Sequence, residues 1–377
     1  MTNQFIQIRQ KLHQHPELSG KELVTSRYVV EQLRNLGITE IHTDFAQHSV
    51  LAVIRSPHLG KTILFRSELD ALPIAEANNF EHQSLQIGIS HKCGHDGHIT
   101  TLLALAHRFT ENPPEKGTIL LLFQSAEEVG TGAKEVLDSK ILEKFNIDFV
   151  FAYHNLPGHP LGLTMCKSGT FTPSVESFNA TLIGKNCHAS EPQKGINPAR
   201  AIAKFVQFME QFLQPNKQMS NYCVVTPIHI SLGEKNYGIS AGQAEIGYTV
   251  RTWTAQDLAE LKLKVTGHLE EICSQEGLKW ELDWFESFHS NHNDEKAVAI
   301  IESACQNLGY SYQTLENPLD FGEDFGLFSE HYKGAMFALG SGENCPALHT
   351  VDYDFPNQLL PVACNIFQEI ARQCLDN

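Results

Sequence analysis

The sequence predicts an α/β protein: a mostly parallel central sheet flanked by helices, interrupted by a smaller inserted α/β domain. Two observations carry this. Over residues 1–172, near-continuous apolar runs alternate with helical stretches, the pattern of strands covered on both faces. From about residue 173 the strands alternate apolar and polar residues instead, and from 294 the helical and apolar segments return. The expected division is a discontinuous main domain, 1–172 and 289–377, around an insert at 173–288.

Taken in chain order, Phe5, Ile8 and Leu12 recur at helical spacing and the helix stops before Pro16. Ser19 followed by Glu22 reads as a capping box that opens a second helix, running to about Gly37. SVLAVI (49–54), TILFR (62–66), TILLLFQ (118–124) and FVFAY (149–153) read as buried strands, with a helix at 98–109 between the second and third. In the insert, 176–185, 223–233, 244–253 and 278–285 alternate as strands, while 196–213 and 256–277 are helical. That order, strand–helix–strand–strand–helix–strand, is ferredoxin-like. Helical and apolar segments resume at 294 and end in a helix near 358–374.

Charge and composition exclude several functions. Lys and Arg number 28 against 44 Asp and Glu, and a net charge of −16 opposes binding to a phosphate backbone. No apolar run approaches the roughly 18–20 residues of a membrane span. The N-terminus shows neither an apolar h-region nor a small-residue cleavage site, so no secretory signal is expected. Nine Cys without paired spacing read as thiols of a reducing compartment, which makes a cytoplasmic location the expectation. Neither a GxGxxG or Walker pattern after a strand nor a GxSxG elbow is present, which argues against nucleotide-binding and serine-hydrolase readings. Nineteen His point instead toward metal chemistry.

Ligands of open parallel sheets bind beyond the carboxyl ends of the strands. Three runs end on suitable residues: TILFR leads to Glu68 and Asp70, TILLLFQ to Glu127 and Glu128, and FVFAY to His154. HKCGHDGH (91–98) adds Cys93, His95, Asp96 and His98 around two glycines that let the backbone turn several side chains toward one point. Thiolate, imidazole and carboxylate are ligands of borderline divalent ions. A closed structural zinc site is the alternative, although no second Cys or His pair at short spacing completes one. Of the adjacent Glu127 and Glu128, one could bind metal while the other accepts a proton, the division that metal-assisted hydrolysis needs.

These motifs resemble the M20 metallopeptidase family, in particular its amidohydrolase branch of hippurate hydrolases, indole-acetyl-amino-acid hydrolases and N-acetyl-diaminopimelate deacetylases. The likeness runs nearly end to end. It includes Arg9, His13, Pro16-Glu17-Leu18, Glu22, Arg66, LDALPI (69–74), CGHDGH (93–98), FQSAEE (123–128), HNLPGHPLG (154–162), the stretch from His188 to Pro198, GEDF (322–325) and LHTVDYDF (348–355).

The resemblance implies a site for two divalent ions, zinc or manganese, held by Cys93, His95, Glu128, His154 and His349. It implies Glu127 as general base, Asp70 as a partner that orients a ligand, and His188 as the donor to the oxyanion, from its own or the partner subunit. It also implies an insert that serves as lid and dimerisation domain, and an N-acyl amino acid as the small-molecule substrate. Arg251 is a candidate for the substrate carboxylate, with a surface arginine on a strand as its alternative. His98 reads as a helix-opening neighbour, and Arg9 and His13 as structural. The rival within the family is a peptidase that takes a free terminus; outside it, a catalytically silent metal-binding relative. Four departures from the pattern stand out: Glu68 where Asp is usual, Ser125 for a common Pro, Gln193 for a frequent His, and GISAGQAE (238–245) for an Asn-x-Ile-Pro segment.

Overall fold

A computed structural model describes residues 3–376. Contacts divide the chain into two units. The first comprises residues 1–171, 291–316 and 323–377, and the second residues 172–290 and 317–322.

In the first unit, eight strands form one mixed sheet, in the order Ile41–His42, Val50–Arg55, Lys116–Gln124, His58–Glu68, Ile147–Leu156, Gly334–Gly340, Thr164–Cys166 and Tyr312–Thr314. The four central strands run parallel. The antiparallel pairings lie outside them, at Ile41–His42, Val50–Arg55 and Thr164–Cys166. Residues 119–124 and 334–340 are buried without a break, and since successive side chains point to opposite faces, both faces of the sheet are covered. Helices Asn3–Gln14, Leu23–Asn35, His95–Glu111, Glu295–Leu308 and Leu359–Asp376 supply that cover, through residues such as Phe5, Val29, Leu102, Ile301 and Phe367. The central strand Gly334–Gly340 lies in an apolar stretch that the sequence leaves unassigned. Small residues at both of its ends give it no period of its own, and its pairing partner, Ile147–Leu156, lies far away in sequence.

The capping box is not formed. Helix Leu23–Asn35 begins after Glu22 without a side-chain cap. Ser19 Oγ donates to Asp70 Oδ2 at 2.7 Å, and Glu22 accepts from a distant amide described below. Both side chains have been drawn inward by tertiary partners, which outcompete a local hydrogen bond of about 1 kcal/mol.

The second unit is a four-stranded antiparallel sheet, in the order Cys223–Leu232, Gln243–Thr252, Ser174–Ile183 and Lys279–Phe288, with helices Ala199–Glu210 and Ala255–Glu276. Phe178, Phe205, Ile246, Tyr248, Val265 and Leu269 fill its core. Helix Ala255–Glu276 starts where the Thr254 side chain accepts the Asp257 N–H, and it stops at Gly277, whose φ of 70° ends the helical run. Residues 317–322 join this unit through Asp320, which pairs with Lys217 at 2.5 Å and accepts from Arg251 Nη1 at its carbonyl at 2.8 Å. Among the described residues, no helix is long and apolar enough to cross a membrane.

Candidate metal centre

Parallel register brings the strand ends of the first unit to one edge. Glu68 pairs with Gln124, so the segments that follow both strands leave together, and Phe65 pairs with Phe151, which sets His154 level with Glu68. Helix His95–Glu111 opens at the same edge. Gly94 precedes it with φ 96°, and a Cβ there would meet Asn155 Oδ1 at 2.5 Å, so only glycine makes the turn that presents Cys93 and His95.

Several groups of donor atoms result, each within 4.8 Å, and three of them overlap on the expected ligands and Glu127: Cys93, His95 and His154; Cys93, Glu128 and His349; His95, Glu127 and Glu128. Cys93 Sγ is 3.3 Å from His154 Nε2, and His95 Nε2 is 3.8 Å from Glu128 Oε1 and 4.0 Å from Glu127 Oε2. His349 Nε2 is 3.7 Å from Glu128 Oε2. The structure thus brings together six of the residues singled out in the sequence. Asp70 adjoins them: its backbone carbonyl accepts from His95 Nδ1 at 2.9 Å and its Oδ2 accepts from the Glu128 N–H at 2.9 Å. His154 Nδ1 likewise donates to the Asn155 carbonyl at 2.8 Å. In both histidines the Nδ1 proton is engaged and Nε2 is turned toward the other donors, the arrangement of metal-ligating imidazoles.

The chemistry of these donors fits a pair of cations. Buried His95 Nε2 and Glu128 Oε1 face one another with no hydrogen-bond partner among the described residues. Burial, then Glu323, Glu128 and Asp324, push Glu127 well above the ordinary carboxyl range. Burial pushes Glu128 up to about 7, and burial with Glu128 and Glu127 pushes the Cys93 thiol up. His95 is held at about 10: burial pulls it down, but Asp70, Glu68 and Glu128 outweigh that. Acids that raise one another's proton affinity, around an imidazole lifted the same way, mark a site that favours positive charge.

His349 differs from the other donors. Its side chain is 51% exposed, and it sits on a loop with φ 62°, a left-handed conformation uncommon outside glycine. Its N–H donates to the Lys92 carbonyl at 2.8 Å, while buried Lys92 Nζ donates to Glu76 Oε1 and to the Tyr353 carbonyl. Residue 92 therefore ties the Cys93 loop to the His349 loop, a link that no spacing in the sequence signals.

The supporting shell is polar and buried. His98 Nδ1 meets Glu68 Oε2 and its Nε2 meets Asn155 Oδ1, both at 2.6 Å, so its two nitrogens are engaged. Arg66 is bonded by Glu68, by Glu323 at 3.0 Å, by Asp324 at 2.5 Å and by Gln124 at 3.0 Å. Arg9 and His13 both reach Asp96, at 3.1 and 2.9 Å. Among these, Asn155, Gln124 and Lys92 enter the sequence reading only as members of HNLPGHPLG, FQSAEE and HKCGHDGH, as Glu323 and Asp324 do through GEDF.

His188 and Arg251 lie in the second unit. The Ser190 backbone N–H donates to His188 Nδ1 at 3.1 Å, and Ser190 Oγ is 2.7 Å from the same nitrogen. A ring proton has no room there, which assigns it to Nε2 and makes that atom the donor of this exposed imidazole. Arg251 has one guanidinium nitrogen on the Asp320 carbonyl.

The model of peptidase family M20/M25/M40 matches residues 64–373. N-acetylcysteine deacetylase of Bacillus subtilis is 29% identical over 368 residues, which cover 97% of this chain and 96% of the deacetylase. Hippurate hydrolase of Campylobacter jejuni is 29% identical over 378 residues, covering 100% and 97%. The crystal structure of a dinuclear metal binding peptidase from the M20 family of Bacillus subtilis superimposes with a TM-score of 0.84 at 28% identity, covering 99% of this chain and 98% of that one.

Proposed function

This chain belongs to peptidase family M20/M25/M40, and from that premise we propose that it is a metal-dependent amidohydrolase that removes the acyl group from an N-acyl amino acid. The observation that carries the reading is the pairing of Glu127 with a buried donor cluster: a carboxylate 4.0 Å from His95 Nε2 that is dispensable to two of the three donor groups. The deacetylase and hippurate hydrolase names of the full-length relatives support the substrate class.

The proposed ligands are Cys93, His95, Glu128, His154 and His349. Two divalent ions bound by them would supply Lewis acidity, lowering the pKa of a water and polarising the amide carbonyl. Glu127 removes the water's proton and delivers it to the leaving nitrogen. Asp70 fixes His95 and the Glu128 backbone so that neither drifts as charge develops. His188 donates Nε2–H to the oxyanion of the tetrahedral intermediate. In this reading the second unit acts as a lid, and Arg251, one of whose guanidinium nitrogens is bonded to the Asp320 carbonyl, is the candidate partner of the substrate carboxylate. The thiol and three imidazoles favour zinc, with manganese the alternative. Nine unpaired cysteines support a cytoplasmic location.

The test pairs metal analysis with substrates. Purified protein is expected to hold two divalent ions per chain, to lose hydrolysis on chelation and to regain it with zinc or manganese. A panel of acetyl, benzoyl and indole-acetyl amino acids should be cleaved, and dipeptides should not. Turnover undiminished in metal-free protein would overturn the reading.

A homodimer through the second unit is part of the proposal. Cys223–Leu232 is an edge strand that exposes Ile228, Ile230 and Leu232, an apolar edge of the kind that pairs with another copy. Ile228→Lys with Ile230→Lys should shift the mass in light scattering from dimer to monomer. A wild-type mass of one chain would refute it.

A further inference from the structure

Ala126 has a φ of 55°, although it is neither glycine nor asparagine. The left-handed region costs an alanine roughly 1 kcal/mol or more, and such strain persists only where surrounding structure imposes it. This residue makes the turn between strand Lys116–Gln124 and the adjacent Glu127 and Glu128, so its conformation decides where both carboxylates point. The neighbouring amides are held by ordinary means: Ser125 N–H donates to Ser49 Oγ at 3.0 Å and Glu128 N–H to Asp70 Oδ2 at 2.9 Å.

The strained residue has its own partner. Ala126 N–H donates to Glu22 Oε1 at 2.8 Å. Glu22 is fully buried, makes no cap to the helix that follows it, and leaves Oε2 without a hydrogen-bond partner among the described residues. A buried carboxyl is costly unless its hydrogen bonds serve something. Here the bond reaches the N–H of the left-handed residue itself, whose carbonyl accepts from the Thr131 and Gly132 amides at 3.3 and 3.0 Å.

We infer that Glu22 is a positioning residue of the hydrolytic centre: by accepting the Ala126 N–H it holds the left-handed turn that presents Glu127 and Glu128. The inference rests on the reading of Glu127 as the base.

Three variants test it. Glu22→Gln keeps the acceptor oxygen and the shape, and should stay within about threefold of wild-type kcat. Glu22→Met keeps the bulk and removes the acceptor, and should lower kcat by about 10–100-fold while KM moves less than about threefold. In the Glu22→Met background, Ala126→Gly should recover most of that loss, because glycine takes a positive φ without penalty. Hydrogen exchange gives a readout that needs no substrate: the Ala126 amide should exchange about tenfold or more faster in Glu22→Met than in wild type or Glu22→Gln.

Equal losses in the Gln and Met variants, no rescue by Ala126→Gly, or unchanged kcat and exchange in Glu22→Met would each overturn the inference. Glu22→Ala replaces Glu22→Met if the latter does not fold, and failure of both to fold assigns the carboxyl to stability alone. An enzyme inactive on every N-acyl amino acid would instead defeat the amidohydrolase reading, and amide exchange would still decide the role of Glu22.

Discussion

Glu127→Gln is expected to lower kcat by a factor of about 10²–10⁴, the contribution of a positioned general base, with bound metal unchanged. Glutamine keeps the length and planarity of the side chain but cannot take up a proton. Two donor groups, Cys93 with His95 and His154, and Cys93 with Glu128 and His349, are complete without residue 127, which is why metal should stay. The result also separates two roles. Glu127 stands near His95 Nε2 and shares the third donor group, so a variant that loses an ion along with activity would make it a ligand and leave the base unassigned. Metal stoichiometry and steady-state kinetics on the same preparation decide between them.

Arg66→Met is expected to destabilise the first unit by about 3–5 kcal/mol at neutral pH, because a buried arginine is removed from among acids that remain. Glu68, Glu323, Asp324 and Arg66 are all essentially excluded from solvent. In the wild type, burial alone would raise Glu68, and Arg66 is the first of the charges that hold it well below the ordinary range. Without the arginine, Glu68 should rise, and Asp324, which burial already raises to about 8, should rise further, so that the folded variant binds more protons than its unfolded chain. Stability then falls as pH rises above the usual carboxyl pKa of about 4, and the deficit against wild type shrinks toward acid pH. Denaturant unfolding across that range measures it. Arg66→Lys should recover only part of the loss, since an ammonium cannot fork to all the acceptors around the guanidinium. A pH-independent deficit below about 1 kcal/mol would show that the cluster is already neutralised by protons.

Much of this is legible in the sequence alone. Buried strands announce themselves as unbroken apolar runs, and the rule that ligands gather at carboxyl ends was enough to join Glu127, Glu128 and His154 with the HKCGHDGH loop. What stayed hidden has one physical cause. Arg66 meets Asp324 across 258 positions, Ala126 meets Glu22 across 104, and Lys92 ties its carbonyl to His349. None of these pairs leaves a period or a spacing. The capping box at Ser19 and Glu22 was misleading for the same reason: its residues have the right types and the right separation, but both side chains found better partners across the fold. His349, a lone histidine in a loop, stood out only through family resemblance.

The position of His349 in the chain has a consequence for biosynthesis. Cys93, His95, Glu128 and His154 are synthesised before any of the second unit, whereas His349 follows all of it. A nascent polypeptide therefore carries four of the five proposed ligands through a long interval without the fifth, and without the Glu323 and Asp324 counter-charges of Arg66. Stalled chains that end near residue 290 are expected to retain divalent metal less tightly than the released protein.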